Sequence, residues 1–332
     1  MFGSKCKPSI KFTTLALSSI FFIAACGGSD DDSLVEIKEN ATFTLALSDA
    51  PVDNLSEVVV CFNAVQLKSS GEDQNASVGD DDEMLPPNDM CLDGTGNVIA
   101  NTVGINLLSY QGSESIALVD GLEIDAGEYS QLRLQISEGS FGTLVDTGEK
   151  VSISVPSNEL KLDGFTAAVG GTVDLTLEFD LKKAMTNPVG QEGYFLKPRG
   201  VRLVDNLLVG HIEGTVAEAL LTNNECSPLT NVATSPATVY LYAGTDVAEE
   251  DMADVDGSET MQPLTSVAVS YNETDVSYDF EVGFIPEGSY TIALTCDTDD
   301  NPESDEDISF ISFQNVDVAA GSTPVEVTIS EQ

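Results

Sequence analysis

The chain has 332 residues, no Trp, and 56 acidic residues against 13 Lys and Arg, for a formal net charge of −43. The charge is uneven: Cys26 to Asn206 holds 31 acidic and 10 basic residues, whereas Leu207 to Gln332 holds 25 acidic residues and no Lys or Arg. That second stretch cannot neutralise phosphates, which excludes nucleic acid as a partner, and anionic lipid surfaces repel it.

The N-terminus carries Lys5, Lys7 and Lys11, then the apolar run Leu15-Ala16-Leu17 and Ile20-Phe21-Phe22-Ile23, then Ala24-Ala25-Cys26. A positive region, an apolar core and small residues before a cut site describe an export signal. The apolar part ends at Gly27-Gly28-Ser29, short of the roughly 20 residues a spanning helix needs. Ile23-Ala24-Ala25-Cys26 resembles the bacterial lipobox. The resemblance implies that residues 1–25 are a lipoprotein signal peptide and that Cys26 is acylated and becomes the new N-terminus, holding the protein to a bilayer by its lipid. Gly27 rather than Asp follows, which under the enterobacterial sorting rule implies the outer membrane; whether the body faces the periplasm or the exterior stays open. Residues 26–40 read as an acidic tether.

Cys6 leaves with the signal and Cys26 takes the lipid, so Cys61, Cys91, Cys226 and Cys296 remain. Of three pairings, one disulfide in each half is the simplest for an oxidising compartment. Each would close a long loop, contributing about 3–5 kcal/mol. A metal-thiolate site is the weaker reading, since the cysteines are far apart in sequence and His211 is the only His.

Short segments rich in Val, Ile, Thr, Phe and Tyr at period two follow one another. They are Thr42–Ser48, Val58–Leu67, Gln131–Ser137, Val151–Val155, Val173–Phe179, Val201–Val204, Val239–Tyr242, Val267–Tyr271, Tyr278–Val282, Tyr290–Thr295, Ile308–Phe313 and Val325–Ile329. Gly, Pro, Asn and Asp separate them, and no long segment has helical period. The expected fold is all-β: two antiparallel β-sandwich domains in tandem, residues 41–206 and 207–332, joined near Asp205-Asn206 behind the signal peptide and tether. Asp180–Thr186 is expected to form one helical turn. Ser69–Met90 and Ala243–Pro263 read as long acidic loops, the first one pinned by Cys61 and Cys91. One pattern occurs twice: Asp125-Ala126-Gly127-Glu128-Tyr129 and Pro286-Glu287-Gly288-Ser289-Tyr290. In each, a Gly tolerant of positive φ makes the turn and Tyr opens a strand, with its ring on the core and its hydroxyl bonding backbone.

Several stretches resemble known families. Leu45-Ala46-Leu47-Ser48-Asp49-Ala50-Pro51, Gly127-Glu128-Tyr129-Ser130-Gln131-Leu132-Arg133-Leu134, Phe179-Asp180-Leu181 and Leu196-Lys197-Pro198-Arg199 resemble the domain of unknown function numbered 4382, found in bacterial lipoproteins. Gly210 to Val216, Phe284 to Tyr290 and Val318-Ala319-Ala320-Gly321 resemble the carboxypeptidase-regulatory-like, transthyretin-like sandwich, which overlaps with carbohydrate-binding-like folds. The resemblances imply folds and no activity.

Chemistry-bearing residues are sparse. His211 has no second His and no Gly-x-Ser-x-Gly elbow beside it, so it reads as a partly buried structural His. Acidic pairs are too abundant to single out a glycosidase dyad. The densest feature is Asp297-Thr298-Asp299-Asp300-Asn301-Pro302-Glu303-Ser304-Asp305-Glu306-Asp307. Oxygen ligands at alternating positions converge on Ca²⁺ in some loops, so Asp297, Asp299, Asp300, Asp305 and Asp307 are metal candidates. The bland reading is a solvated acidic hairpin, since the Gly and Glu of an EF-hand are missing. The same choice applies to the acidity as a whole: a surface kept soluble in salty water, or carboxylates that collect divalent cations. Asp49-Ala50-Pro51 reads as strand punctuation, with Asp49 accepting backbone N–H bonds, rather than as a ligand contact. Lys197, Arg199 and Arg202, with Lys182 or Lys183 nearby, have three readings: pairing with internal carboxylates, receiving an anionic ligand, or docking the carboxylates of the second domain.

The sequence thus points to an outer-membrane-anchored lipoprotein with a non-enzymatic binding or structural role and an unidentified protein or glycan partner at the envelope. No cofactor is required, and Ca²⁺ is the one it would hold. The alternatives are a carbohydrate-binding module, which Tyr240, Tyr242, Tyr271 or Tyr278 on one exposed face would favour, and an envelope hydrolase, which a concave pocket gathering carboxylates of raised pKa would favour.

Overall fold

The structure is a computed structural model that describes residues 39–50, 54–188, 190, 192–230, 235–298, 300–301 and 303–331. The signal peptide, Cys26 and nearly all of the tether lie outside the described residues, as do Pro51 and Asp299. Residues from Lys38 to Gln332 form one compact unit. Among the described residues no helix is long and apolar enough to cross a membrane.

The fold is all-β. Strands from 40 to 205 make one pair of sheets and strands from 209 to 329 make another. In the first pair, Asn40–Ala50 is flanked by Ile116–Asp125 and Thr172–Asp180, with Val201–Asp205 at the edge. The opposing sheet is built on Leu55–Ser69, a 15-residue strand that borders Gly127–Ile136, Phe141–Leu144, Val103–Asn106 and Gln74–Ser77 at different points along its length. Phe43, Leu45 and Leu47 alternate inward, and with Val58, Val60, Phe62, Leu132, Leu134, Leu175 and Leu177 they fill the space between the sheets. This is the period-two pattern realised as a sandwich core.

The second pair of sheets has four strands each. Ser270–Asn272, Ser277–Pro286, Val209–Val216 and Val325–Ile329 face Thr265–Ala268, Thr238–Ala243, Gly288–Thr295 and Phe310–Val318. Ile212, Val239, Leu241, Phe280, Val282, Ile292, Leu294 and Val327 pack between them. The expected single strand Val267–Tyr271 is split: the chain changes sheets at Val269, which is fully buried. Most strand pairs are antiparallel, but Asn40–Ala50 runs parallel to Thr172–Asp180, and Val209–Val216 runs parallel to Val325–Ile329. Tyr194–Leu196 likewise runs parallel to Lys150–Ser154, and in each of the three cases the parallel partner arrives across a long connection, as parallel pairing demands.

Three local expectations resolve in detail. Leu181–Ala184 is a helical turn whose N-cap Asp180 accepts from the Lys183 N–H at 3.1 Å. Both repeated turns bond as expected: the Tyr129 hydroxyl donates to the Asp125 carbonyl at 2.8 Å and the Tyr290 hydroxyl to the Pro286 carbonyl at 2.7 Å. The glycines differ, however. Gly127 has φ of +154°, while Gly288 is absent from the positive-φ region, because its turn is made without inverting the backbone.

The two supposed long loops are ordered covers. Within Ser69–Met90, Gln74–Ser77 adds a strand to Leu55–Ser69, Val78 is buried, and Met84 bridges to Val119. Within Ala243–Pro263, Met252, Val255 and Met261 fold over the outer face of Thr238–Ala243 and make a small second core with Tyr240, Tyr242 and Phe310. That strand is therefore buried on both faces: Val239 and Leu241 point into the sandwich, Tyr240 and Tyr242 outward under the cover.

Candidate functional site

Both disulfides form within their halves, Cys61–Cys91 with Cα atoms 5.9 Å apart and Cys226–Cys296 with Cα atoms 5.1 Å apart. Both Cα separations lie within the range a disulfide spans.

The chemistry concentrates where the two sandwiches meet. The C-terminal halves of Asn40–Ala50 and Thr172–Asp180 lose their alternation and become buried on both faces, because the second sandwich packs against them. Ala50 belongs to the second core. The first half supplies the cations of this seam. Lys183 Nζ donates to the Pro263 carbonyl and, at 3.3 Å, to that of Leu264. Arg202 Nη1 donates to the Phe284 carbonyl at 3.3 Å, Arg199 pairs with Asp256, and Lys182 Nζ lies 3.9 Å from Asp300. In the opposite direction, Glu281 of the second half accepts from the Ser113 N–H at 2.6 Å. Of the three readings of the basic cluster, docking the carboxylates of the second half is realised for Arg199 and Lys182, whereas Lys183 and Arg202 reach second-half carbonyls while their charges act on Asp180 and Glu178 of their own half. Lys197 and Arg199 do not share a sheet face, since a turn at Pro198–Gly200 separates them from the strand that carries Arg202.

Close approach also requires two glycines. A Cβ on Gly283 would lie 1.7 Å from the Gly112 carbonyl oxygen, and one on Gly112 would lie 2.3 Å from the Glu281 carboxyl carbon. Gly112 also has φ of +63°. At Gly283 nothing larger than hydrogen fits without moving backbone, whereas at Gly112 a side chain would displace Glu281 and be strained by the positive φ.

The seam buries acids deeply. Ser48, Glu178 and Arg202 are cross-strand neighbours, as are Ala50 and Asp180. Burial pushes the Glu178 carboxyl up to about 8, with the Arg202 guanidinium acting the other way. Burial likewise raises Asp180 against the pull of Lys183. Asp49 is raised well above the carboxylate range, first by burial and then by Glu178 and Asp180. Asp49 corrects the expectation of an Asx-type turn. It is fully buried in the parallel ladder opposite Phe179, and neither carboxyl oxygen accepts a hydrogen bond; its backbone N–H donates to the Tyr110 carbonyl. A side chain inside the ladder cannot reach back to the free N–H groups of a turn.

The acidic stretch 297–307 divides. Asp297 closes its own loop, accepting from the Ser309 N–H at 2.9 Å. Asp307 is exposed and takes no part in the carboxylate clusters found among the described residues. Asp300 turns inward instead: its Oδ2 accepts from the Tyr240 hydroxyl and, at 3.2 Å, from the Val255 N–H. Asp305 accepts from the Ser258 N–H at 3.3 Å. The residues that meet Asp300 and Asp305 come mostly from the cover. Asp254, Asp300 and Glu306 bring oxygens within 4.8 Å of one another, as do Asp254, Glu259 and Asp305. Asp254 and Glu259 were not metal candidates from sequence; the available signal was the acidic segment Ala243–Pro263 that holds them, but nothing local shows that it stacks on 297–307. Burial is the main cause raising Asp254 to about 6 and lifting Asp300 as well.

The exposed tyrosine face that would favour a carbohydrate-binding module does not form. Tyr240 and Tyr242 are fully buried, Tyr278 is 2% exposed and Tyr271 is half-buried with its ring against that of Tyr278, so the four share no exposed face. The cover buries Tyr240 and Tyr242, and the Tyr242 hydroxyl donates to its Ala253 carbonyl at 2.6 Å, while Tyr278 lies in the sandwich core. A shallow cleft of about 440 Å³ opens beside Ser69, Glu128, Ser130 and Phe165. The carboxylates of raised pKa named above lie elsewhere, in the seam and under the cover. His211 is a packing residue: its Nδ1 accepts from the Phe284 N–H at 3.3 Å and its ring meets that of Phe284 edge-on.

Fold and seam together define a protein of two docked β sandwiches. Residues 40–198 match the profile of the family described as domain of unknown function DUF4382. No curated protein matches the sequence. Solved structures similar over most of the chain include a candidate adhesin from Bacteroides ovatus (11% identity, 93% of this chain and 99% of that one, TM-score 0.19). A fimbrial protein from the same species covers 90% of this chain and 52% of that one, at 10% identity and TM-score 0.17. The major pilin of Streptococcus pyogenes covers 88% and 100%, at 10% identity and TM-score 0.14. Scores this low establish neither shared topology nor shared role.

Proposed function

We propose that this chain is an outer-membrane lipoprotein, anchored through a lipid on Cys26, whose two sandwich domains, 41–206 and 207–332, form a rigid body with a non-enzymatic binding or structural role at the envelope. In this reading the second domain is of the transthyretin-like kind, a proposal its two four-stranded sheets support. The observation that carries the non-enzymatic reading is where the perturbed acids sit. Asp49, Glu178 and Asp180 are sealed into the seam, and Asp254 and Asp300 lie beneath a folded cover, whereas catalytic carboxylates need access to a substrate. The two disulfides support a site of action outside the cytoplasm.

The test has two arms. Full-length chain expressed with labelled fatty acid should carry label that a Cys26→Ser variant lacks. Purified protein incubated with envelope glycans and peptides should leave them intact; reproducible turnover, lost on a single carboxylate substitution, would overturn the reading.

A further inference from the structure

We propose that the carboxylates gathered around Asp254 bind one calcium ion, held between the cover that follows Thr238–Ala243 and the acidic stretch before Phe310. This goes beyond the envelope role and is independent of it. Asp254 is 2% exposed and Asp300 8%. The Oδ2 of each is committed, that of Asp254 to the Glu306 N–H at 2.6 Å and that of Asp300 to Tyr240, Val255 and the nearby Lys182. The Oδ1 of each is shut off from solvent and accepts no hydrogen bond, and the same holds for Oε2 of Glu259. Buried carboxylate oxygens without donors are unstable unless a proton or a cation meets them.

The donor set decides which cation. Asp254, Glu259, Asp300, Asp305 and Glu306 offer oxygen only, which suits the hard ions and not zinc or copper. Each triad spans at most 4.8 Å, the separation of two oxygens on opposite sides of a Ca²⁺ with bonds of about 2.4 Å. The five carboxylates outnumber the ammoniums that act on Asp300, those of Lys182 and Lys183, so a divalent ion lowers the local charge without removing the Lys182–Asp300 pair. Gly257 preserves room for the site: a Cβ there would lie 1.8 Å from Asp254 Oδ1.

The experiment is calorimetric titration of chelator-treated full-length protein with CaCl₂ at neutral pH, alongside thermal melts. Expected is saturable binding of one ion per chain with Kd between micromolar and millimolar, and a melting temperature raised by about 5 °C near saturation. Asp254→Asn and Asp300→Asn should weaken binding more than about tenfold, and Asp297→Asn and Asp307→Asn should leave Kd unchanged. If the buried variants fail to fold, Glu259→Gln and Glu306→Gln, nearer the surface, should weaken binding with the circular dichroism of the native protein retained. Absence of heat and of any melting shift up to about 10 mM CaCl₂ would overturn the proposal: the orphan oxygens would then be met by protons. Multiple weak binding indifferent to the Asp254 and Glu306 substitutions would overturn it equally, as diffuse attraction to an acidic surface.

Discussion

Glu178 makes the seam sensitive to alkali, and the sign of the effect is opposite to that of an ordinary paired carboxylate. Its pKa lies at about 8 in the folded protein against 4.5 for the free side chain, mainly through burial. Between those values the folded state holds a proton that the unfolded chain has lost, so stability is full below the unfolded pKa and falls as pH rises. Each pH unit inside the window removes about 1.4 kcal/mol per such group, so the passage from about pH 5 to pH 8 costs about 3 kcal/mol for Glu178 alone. Asp49, Asp180 and Asp254 are shifted in the same direction and steepen the slope. Glu178→Gln mimics the protonated side chain and should lessen the slope by one group's share: near-native stability at pH 5, but about 3 kcal/mol more than wild type at pH 8. Urea unfolding of both proteins across this range, in chelator so that no ion competes with protons at Asp254, measures it directly. Equal slopes in the two proteins, or wild-type stability that rises from pH 5 to pH 8, would refute the reasoning.

Other consequences follow from packing. Tyr290→Phe removes the hydroxyl that bonds to the Pro286 carbonyl and should cost about 1 kcal/mol in urea unfolding, as should Tyr129→Phe in the first sandwich; losses below the error of the measurement would show these bonds to be replaceable by water. Gly283→Ala drives a methyl into the Gly112 carbonyl, so the sandwiches must separate locally. Limited proteolysis should then cut the connection at Asn206–Leu208 at least about tenfold faster than in wild type, and an unchanged rate would mean that the seam yields without opening. Cys61→Ser with Cys91→Ser, or Cys226→Ser with Cys296→Ser, should each lower stability by about 3–5 kcal/mol. Stability of both variants equal to that of wild type would deny the bridges a structural role.

Much of the fold is legible in the sequence because a half-buried strand writes its environment at period two. Thr42–Ser48, Val58–Leu67 and Val173–Phe179 each fall within an observed strand. Ile116–Asp125 was missed because Asp120-Gly121 reads as a turn. In the structure Gly121 takes φ of +76° beside a register irregularity against Phe43 and Leu45, so the pair bulges the strand without ending it. The parallel pairings were not legible at all, since alternation reports which face is buried and not which neighbour runs alongside. Asp297 and Asp300 show the same limit within a candidate site. Both are acidic and three residues apart, yet one closes its own loop and the other lies under Tyr240, a difference set by a cover that begins more than forty residues earlier.

The uneven charge acquires a structural meaning once the seam is known. The second half has no Lys or Arg, so each guanidinium or ammonium at its surface must come from outside it, and in the seam the first half provides them. Lys68, Arg133 and Lys161 pair within the first sandwich, with Asp73 and Glu159, whereas Lys182, Lys183, Arg199 and Arg202 cluster between residues 182 and 202, just ahead of the connection. A contact in which one partner holds all the cations resists self-association of either partner through the same face, because like charges would oppose one another. Exposed pairs such as Arg199–Asp256 add little stability. Buried ones such as Lys182–Asp300 are costly to break by removing one partner, so the seam's charges act chiefly to fix one mutual arrangement of the sandwiches. That arrangement is what brings Lys182 of the first half against Asp300 of the second, so the carboxylate cluster, built wholly from the second sandwich, receives a cation from the first.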